Sequence, residues 1–445
     1  MKKKQRHIGV LLLLAVLLSF CSCDTHLPAR VDTLIAPPIL FEEQNEIMQA
    51  LKKSAGDNIV LEYPGSGENR SAFLLFDLDL DGEQEVIAFY RSAGEELRQD
   101  VVHMNLLDRL PSGSWRSLCD VIGEAAGIDR VCTGSFSGRQ QLIVGWELMR
   151  EKEKTLMCYS LSGGSLVREY SATYIEFAAA DFWSEHDGDE LITLNYVQQA
   201  ENLLQPTQHA RLIVREDDGF RAISTTPLDS RVTGYRNCVA GKTDVRRVGY
   251  FLDGLLSAGT VSTQVLTVST SGQLQNPLLF DNNQAAQDNL RKATLLSQDM
   301  DGDGIFEVPQ QQPVVGYETV PESECLYKTI WRQLSGSRLV KSKTTYSTAA
   351  LGIRITVPPM LEGRVTLRTD MAHSEMTFYQ YEGSLEQSNQ VLFSLRVIDR
   401  EQPRPAETYQ LLCNNEFTSV WVRLYDVENP LCPKTADLAA WVTIT

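Results

Sequence analysis

The amino-acid sequence predicts a mainly β protein, a run of repeated four-stranded units followed by a smaller α+β region. Three observations predict it. Short apolar stretches alternate with glycine- and acid-containing turns through the middle of the chain. Those turns recur at intervals of 50 to 63 residues, a period that suits four-stranded propeller blades. Past about Ser335 the repeats stop and strands with β-branched or aromatic alternation take over. The 445 residues exceed one ordinary core, and 43% hydrophobic residues is a globular composition.

The first 22 residues form a separate element. Lys2, Lys3, Lys4 and Arg6 precede an apolar run from Ile8 to Phe20. That run is shorter than the roughly 20 residues that span a bilayer and has the make-up of a secretory signal. It ends in Leu18-Ser19-Phe20-Cys21-Ser22-Cys23-Asp24, which resembles a bacterial lipobox. The resemblance implies that Cys23, preceded by the small Ser22, is acylated and becomes the new N-terminus. Phe20 and Cys21 stand where that family prefers Leu and a small residue, and an ordinary cleaved signal is the plainer alternative. The expected compartment is extracytoplasmic, on the cell surface or the periplasmic side of a membrane.

The formal net charge is −17, and without the basic leader the chain stands at −21. Such a surface repels phosphates, which excludes nucleic acid as an expected partner. Seven cysteines follow Cys23 at wide spacing with no CxxC pair. That argues against a zinc ribbon, a redox motif or a compact disulfide framework. Cys413 and Cys432 flank one short apolar strand and are the pair that could bridge. For most of the seven, free buried thiols are expected.

A tether at 23–40 closes with Pro37-Pro38. Phe41 to Ser54 predicts a helix, with Glu42, Glu43 and Glu46 early, Lys52 and Lys53 late, and Ile47, Met48 and Leu51 on one face. The repeats then follow, with turn glycines expected at Gly82, Gly138, Gly188, Gly241 and Gly304. Further strands are expected at Leu156–Leu161, Ala210–Val214 and Gln264–Ser269. In the last region strands are expected at Leu339–Tyr346, Gly352–Val357, Arg364–Thr369, Glu375–Tyr381, Val391–Ile398 and Ser419–Tyr425, and a short helix at Lys434–Val442. The expected division is 1–22 signal, 23–40 tether, 41–335 helix plus repeat domain, and 336–445 α+β domain.

Two repeats carry a chemical motif. Asp77, Asp79, Asp81 and Glu85 share the offsets of Asp299, Asp301, Asp303 and Glu307. The loops resemble the FG-GAP or VCBS repeats of integrin-type β-propellers, over about residues 60–335. The resemblance implies a β-propeller of such blades. Alternating carboxylates in a tight turn converge their oxygens, and the glycine after the third Asp (Gly82, Gly304) permits a positive φ. A backbone carbonyl from Glu83 or Ile305 completes the expected set. Many oxygen ligands in a flexible loop suit Ca2+ better than Zn2+ or Mg2+. An acidic turn without an ion is the alternative. An EF-hand is excluded, because Ala88 and Gln310 occupy its twelfth position. The copy at Asp181–Glu190 is one residue longer and lacks the alternating pattern. Those at 133–141 and 239–244 lack the acids.

Enzyme signatures fail one by one. Gly241-Lys242-Thr243 has Arg236 where a phosphate loop needs glycine, and Gly65-Ser66-Gly67 lacks the spacer of a nucleophile elbow. Trp115, Trp146, Trp183, Tyr196 and Tyr250 fall in or beside repeat strands and are expected to fill the core rather than to stack on sugars. The expected function is therefore a lipid-anchored binding or scaffolding protein with calcium-stabilised repeats and a protein or glycan ligand. A carbohydrate-active lyase or glycosidase on the same scaffold is the alternative, with an accessory subunit of an envelope complex as a third.

Overall fold

A computed structural model of the chain describes residues 42–92, 101–148, 153–197, 207–279, 289–292, 294–348 and 350–445. The expected signal peptide, Cys23 and the tether lie outside the described residues. No helix among the described residues is long and apolar enough to cross a membrane.

A helix spans Glu42–Ala55, one residue beyond the expected end. Its acids and lysines complement the helix dipole, and Ile47 and Leu51 are buried. They pack on Phe73, Val86, Tyr90 and Trp115 of the first sheet.

Four antiparallel sheets then follow in chain order. The first has Ile59–Glu62 and Phe73–Phe76 both paired to Glu85–Ser92, followed by Val101–Arg109 and Trp115–Glu124. The second runs Gly127–Phe136, Arg139–Glu147, Lys154–Ser162, Ser165–Tyr174. The third runs Glu176–Ala180, Glu190–Tyr196, Gln208–Glu216, Gly219–Pro227. The fourth runs Gly234–Lys242, Val248–Leu255, Thr260–Val268, Leu274–Gln275, with Arg291–Lys292 added beside Thr260–Val268.

One strand in each sheet explains the packing. Glu85–Ser92, Arg139–Glu147, Glu190–Tyr196 and Val248–Leu255 each contain six consecutive buried residues. A strand that is apolar on both faces needs a neighbour on both faces. The period-two alternation divides its side chains between two cores. Leu142 and Val144 meet Ile87 and Phe89 of the first sheet, while Ile143 meets Phe177 and Leu191 of the third. Ile192 and Leu194 meet Leu252 and Leu266 of the fourth sheet, and Phe251 meets Val308 of the fifth. Sheets stacked face to face in sequence order are the blades of a propeller-type fold. Trp146 and Tyr250 are almost wholly buried, Trp115 is buried, and Trp183 and Tyr196 are half-buried.

The fifth sheet links two cores. Its strands are Val308–Pro313, Tyr327–Ser335, Arg338–Thr348, Ile353–Thr356 and Val442–Ile444. The turn at Gly336-Ser337, where the sequence changes texture, is the tip of a hairpin. Leu339 packs with Val308 and Phe251 of the repeat region. Tyr346, Ile353 and Val442 pack with Val365, Phe378 and Phe393 of the last sheet. That sheet orders Val365–Asp370, Glu375–Gln380, Val391–Asp399, Thr418–Leu424 and Gln410–Asn414. A helix at Thr435–Trp441 buries Leu438 in the same core.

Two expectations are corrected here. Cys413 and Cys432 do not bridge, and all seven described cysteines are free. The Cys432 thiol instead meets the Leu392 carbonyl at 3.3 Å. Gly241 is no turn residue. It lies inside the strand Gly234–Lys242, where a Cβ would come within 2.4 Å of the Phe306 ring. Gly82, Gly138, Gly188 and Gly304 do take positive φ.

Candidate metal centres in the acidic loops

The loop from Asp77 to Glu85 joins Phe73–Phe76 to Glu85–Ser92, and its carboxylates organise it through backbone amides. The Gly82 N–H donates to Asp77 Oδ2 (3.2 Å), Asp81 N–H to Asp79 Oδ1 (3.3 Å) and Glu83 N–H to Asp81 Oδ1 (2.8 Å). The Leu78 N–H donates to Glu85 Oε2 at 2.7 Å. The loop from Asp299 to Glu307 repeats the scheme at the same offsets. Gly304 N–H donates to Asp299 Oδ2 (2.9 Å), Asp303 N–H to Asp301 Oδ1 (3.4 Å), Ile305 N–H to Asp303 Oδ1 (2.7 Å) and Met300 N–H to Glu307 Oε2 (3.0 Å). Positive φ occurs at matching places, Leu80 (63°) with Gly302 (78°) and Gly82 (93°) with Gly304 (84°).

Each loop gathers three carboxylates whose ligand atoms lie within 4.8 Å of one another. These are Asp77, Asp79 and Glu85 in the first, and Asp299, Asp301 and Asp303 in the second. Two expected members stand outside these groups. Asp81 is exposed. Glu307 is buried with both oxygens engaged, since Oε1 also accepts from Gln333 Nε2 at 2.9 Å. Glu83 is exposed, and Ile305 is bridged to Lys242 of the fourth sheet.

The first loop carries an electrostatic load. Burial pushes the Glu85 carboxyl up to about 7, opposed by the Leu78 N–H and helped by Asp79, Asp77 and Asp81. Asp77 Oδ1 is buried without a hydrogen-bond partner. An unsatisfied buried oxygen costs about 1–3 kcal/mol, which a coordinated cation would offset. The residues of the first loop therefore fit a hard divalent cation. Burial also raises Glu307, against the Met300 N–H and Gln333.

The third repeat reveals a residue whose role the sequence did not show. Glu190 Oε2 accepts the N–H groups of Phe182 (2.8 Å) and Trp183 (2.7 Å), the role of Glu85 and Glu307. The signal was available, because Glu190, like Glu85, opens an apolar strand directly after an acidic turn. Its other oxygen meets His186 Nδ1 at 2.9 Å, and His186 stacks on Trp183. Asp189 pairs its Oδ2 and N–H with the backbone of Ser135 in the second sheet. This loop holds two sheets together with hydrogen bonds.

A second ionisable group links the first strands of the second and third sheets. Asp129 accepts from Lys154 Nζ (2.6 Å), Ser66 Oγ (2.8 Å) and Tyr174 Oη (2.7 Å). Burial raises its carboxyl, but Lys154 and Tyr174 outweigh burial and hold it below the usual range. Arg130 pairs with Glu176 and lies over the Phe177 ring. These charges pair with one another, with Arg130 Nε 3.5 Å from Asp129 Oδ2 but without a hydrogen bond of its own. Sequence reading missed them because they converge from positions 66 to 176.

No protein-family model matches the chain, and no curated protein matches it. Among solved structures, it is similar to a protein from Lactobacillus plantarum at 11% identity, over 74% of this chain and 84% of that one, with a TM-score of 0.30. It is similar to the periplasmic gluconolactonase of Pseudomonas aeruginosa at 12% identity, over 76% and 95%, with a TM-score of 0.30. An exotype rhamnogalacturonan lyase matches at 11% identity, over 64% and 62%, with a TM-score of 0.24. Likeness at that level does not carry an activity over to this chain.

Proposed function

We propose that the chain is an exported binding or scaffolding protein, anchored through a lipid on Cys23, whose FG-GAP/VCBS-like blades are stapled by calcium. The observation that carries this reading is the hydrogen-bond scheme common to the loops 77–85 and 299–307, together with the buried, unpartnered Asp77 oxygen. A cation in such a hairpin turn would tie the entering strand to the leaving one and relieve the repulsion among the carboxylates. The mutually paired charges of Asp129, Lys154, Arg130 and Glu176 support a structural use of the first strands. The rigid stack of sheets would then present a face to a protein or glycan of the envelope.

The test combines anchoring with capture. Cells fed a radioactive fatty acid should label the native chain and not Cys23→Ala, which should move to the soluble fraction. Crosslinking on intact cells should retain one ligand in calcium and lose it in EDTA. Shortened or unsaturated sugar products from purified envelope polysaccharide would instead support the carbohydrate-active alternative.

A further inference from the structure

The two acidic loops match in sequence offsets and in backbone hydrogen bonds, but their surroundings differ in charge. Lys343, on the strand Arg338–Thr348, sets its ammonium on Asp301 Oδ2. Arg354 of the next strand donates from Nη1 to the Met300 carbonyl at 3.1 Å. The second loop thus has one basic side chain on a carboxylate of its three-acid group and another on its backbone. In the first loop, among the described residues, no lysine, arginine or histidine forms an ion pair with Asp77, Asp79, Asp81 or Glu85. The third loop has a basic partner too, His186 against Glu190.

We propose that Lys343 is a tethered counter-ion that competes with calcium for the loop 299–307, so that the two loops bind calcium with unequal affinity and the first binds it more tightly. This rests on the calcium reading above. A divalent ion needs the Asp301 oxygen that the ammonium occupies, and a fixed positive charge a few ångströms away opposes its entry. To admit calcium, Lys343 must swing out into solvent, which its flexible four-carbon stem allows. The strand that carries Lys343 also packs into the C-terminal core through Tyr346. Filling of the second loop would then be felt on the C-terminal side of the fifth sheet.

The inference is tested by calcium titration calorimetry on the wild-type protein, Asp79→Asn, Asp301→Asn and Lys343→Gln. Wild type should show one tighter site and one at least about tenfold weaker. Asp79→Asn should remove the tighter site and Asp301→Asn the weaker. Lys343→Gln should tighten the weaker site about tenfold or more and leave the other unchanged. Two equal sites that Lys343→Gln does not alter would overturn this inference and leave the calcium reading standing. No heat of binding from any of the four proteins would overturn both. As a second readout, Lys343→Gln should lower the unfolding midpoint in EDTA and raise it relative to wild type in saturating calcium. A loss of stability of the same size in both conditions would mark Lys343 as an ordinary surface ion pair and overturn its role as counter-ion.

Discussion

Glu190 shows how one side chain couples the fold to pH. It is fully buried and accepts two backbone N–H groups, yet burial dominates and pushes its carboxyl from the ordinary 4.5 up to about 8. The folded state then holds this proton more tightly than the unfolded chain. The contribution to stability is complete below about 4.5 and is lost as pH rises through about 8. In EDTA, Glu190→Gln should therefore flatten the fall of the unfolding midpoint between those limits, read by thermal melts in a pH series. An unchanged slope would place the titration elsewhere. At this scale the sequence was legible where chemistry is local. The Asp offsets of 77–85 and 299–307 were visible because all the acids lie on one turn. Lys343 and the Arg130–Glu176 pair were not, because a partner that arrives from another strand leaves no mark in spacing.

The loops are the elements where backbone geometry and sequence disagree. Gly302 and Leu80 occupy corresponding places, and both adopt positive φ. Leucine in that region costs roughly 1–2 kcal/mol, while glycine at a regular position costs about 0.5–1 kcal/mol in chain entropy. Leu80 is more than half exposed, so little packing is lost on its removal. Leu80→Gly should therefore raise stability by about 0.5–1 kcal/mol, measured from denaturant midpoints at constant slope. A loss of stability would mean that Leu80 contributes packing that offsets its strain. Thr260–Val268 begins four residues ahead of the expected Gln264, and Val101–Arg109 and Tyr327–Ser335 were not foreseen. Both helices and the other strands given bounds were legible to within two residues, because buried runs and charge asymmetry are strong local signals. Gln410–Asn414 and Val442–Ile444 were not. The first is a mostly exposed edge strand, and the second is three residues held by Ile353–Thr356. Gly241 misled because glycine serves two purposes. Four of the five expected turn glycines supply positive φ, and Gly241 supplies room for Phe306.

At the scale of the molecule, the alternation of each central strand between two cores makes the sheets depend on one another. Removing the second, third or fourth sheet would expose the apolar faces of two others. Repeat architectures derive their stability from such neighbour contacts. The turns reinforce these contacts, with Asp189 tied to Ser135 and Phe306 to Lys242 across adjacent sheets. The repeat period was legible because four of the five units place a positive-φ glycine in the turn before an apolar or buried strand. The sharing of the fifth sheet between two cores was not, because a hairpin tip at Gly336-Ser337 has the composition of a linker. On the proposed function, calcium in the acidic loops would hold this stack together. The most direct test of this claim is thermal unfolding of the protein in excess EDTA and across a calcium titration, with Asp79→Ala and Asp301→Ala alongside. Calcium at tenfold excess over the Kd of one site should stabilise the fold by about 1.4 kcal/mol through that site, and at a single calcium concentration the tighter first site contributes more, so that Asp79→Ala removes the larger part of the rise and Asp301→Ala the remainder. A midpoint that calcium does not move in the wild-type protein would contradict the claim and leave the loops as acidic turns.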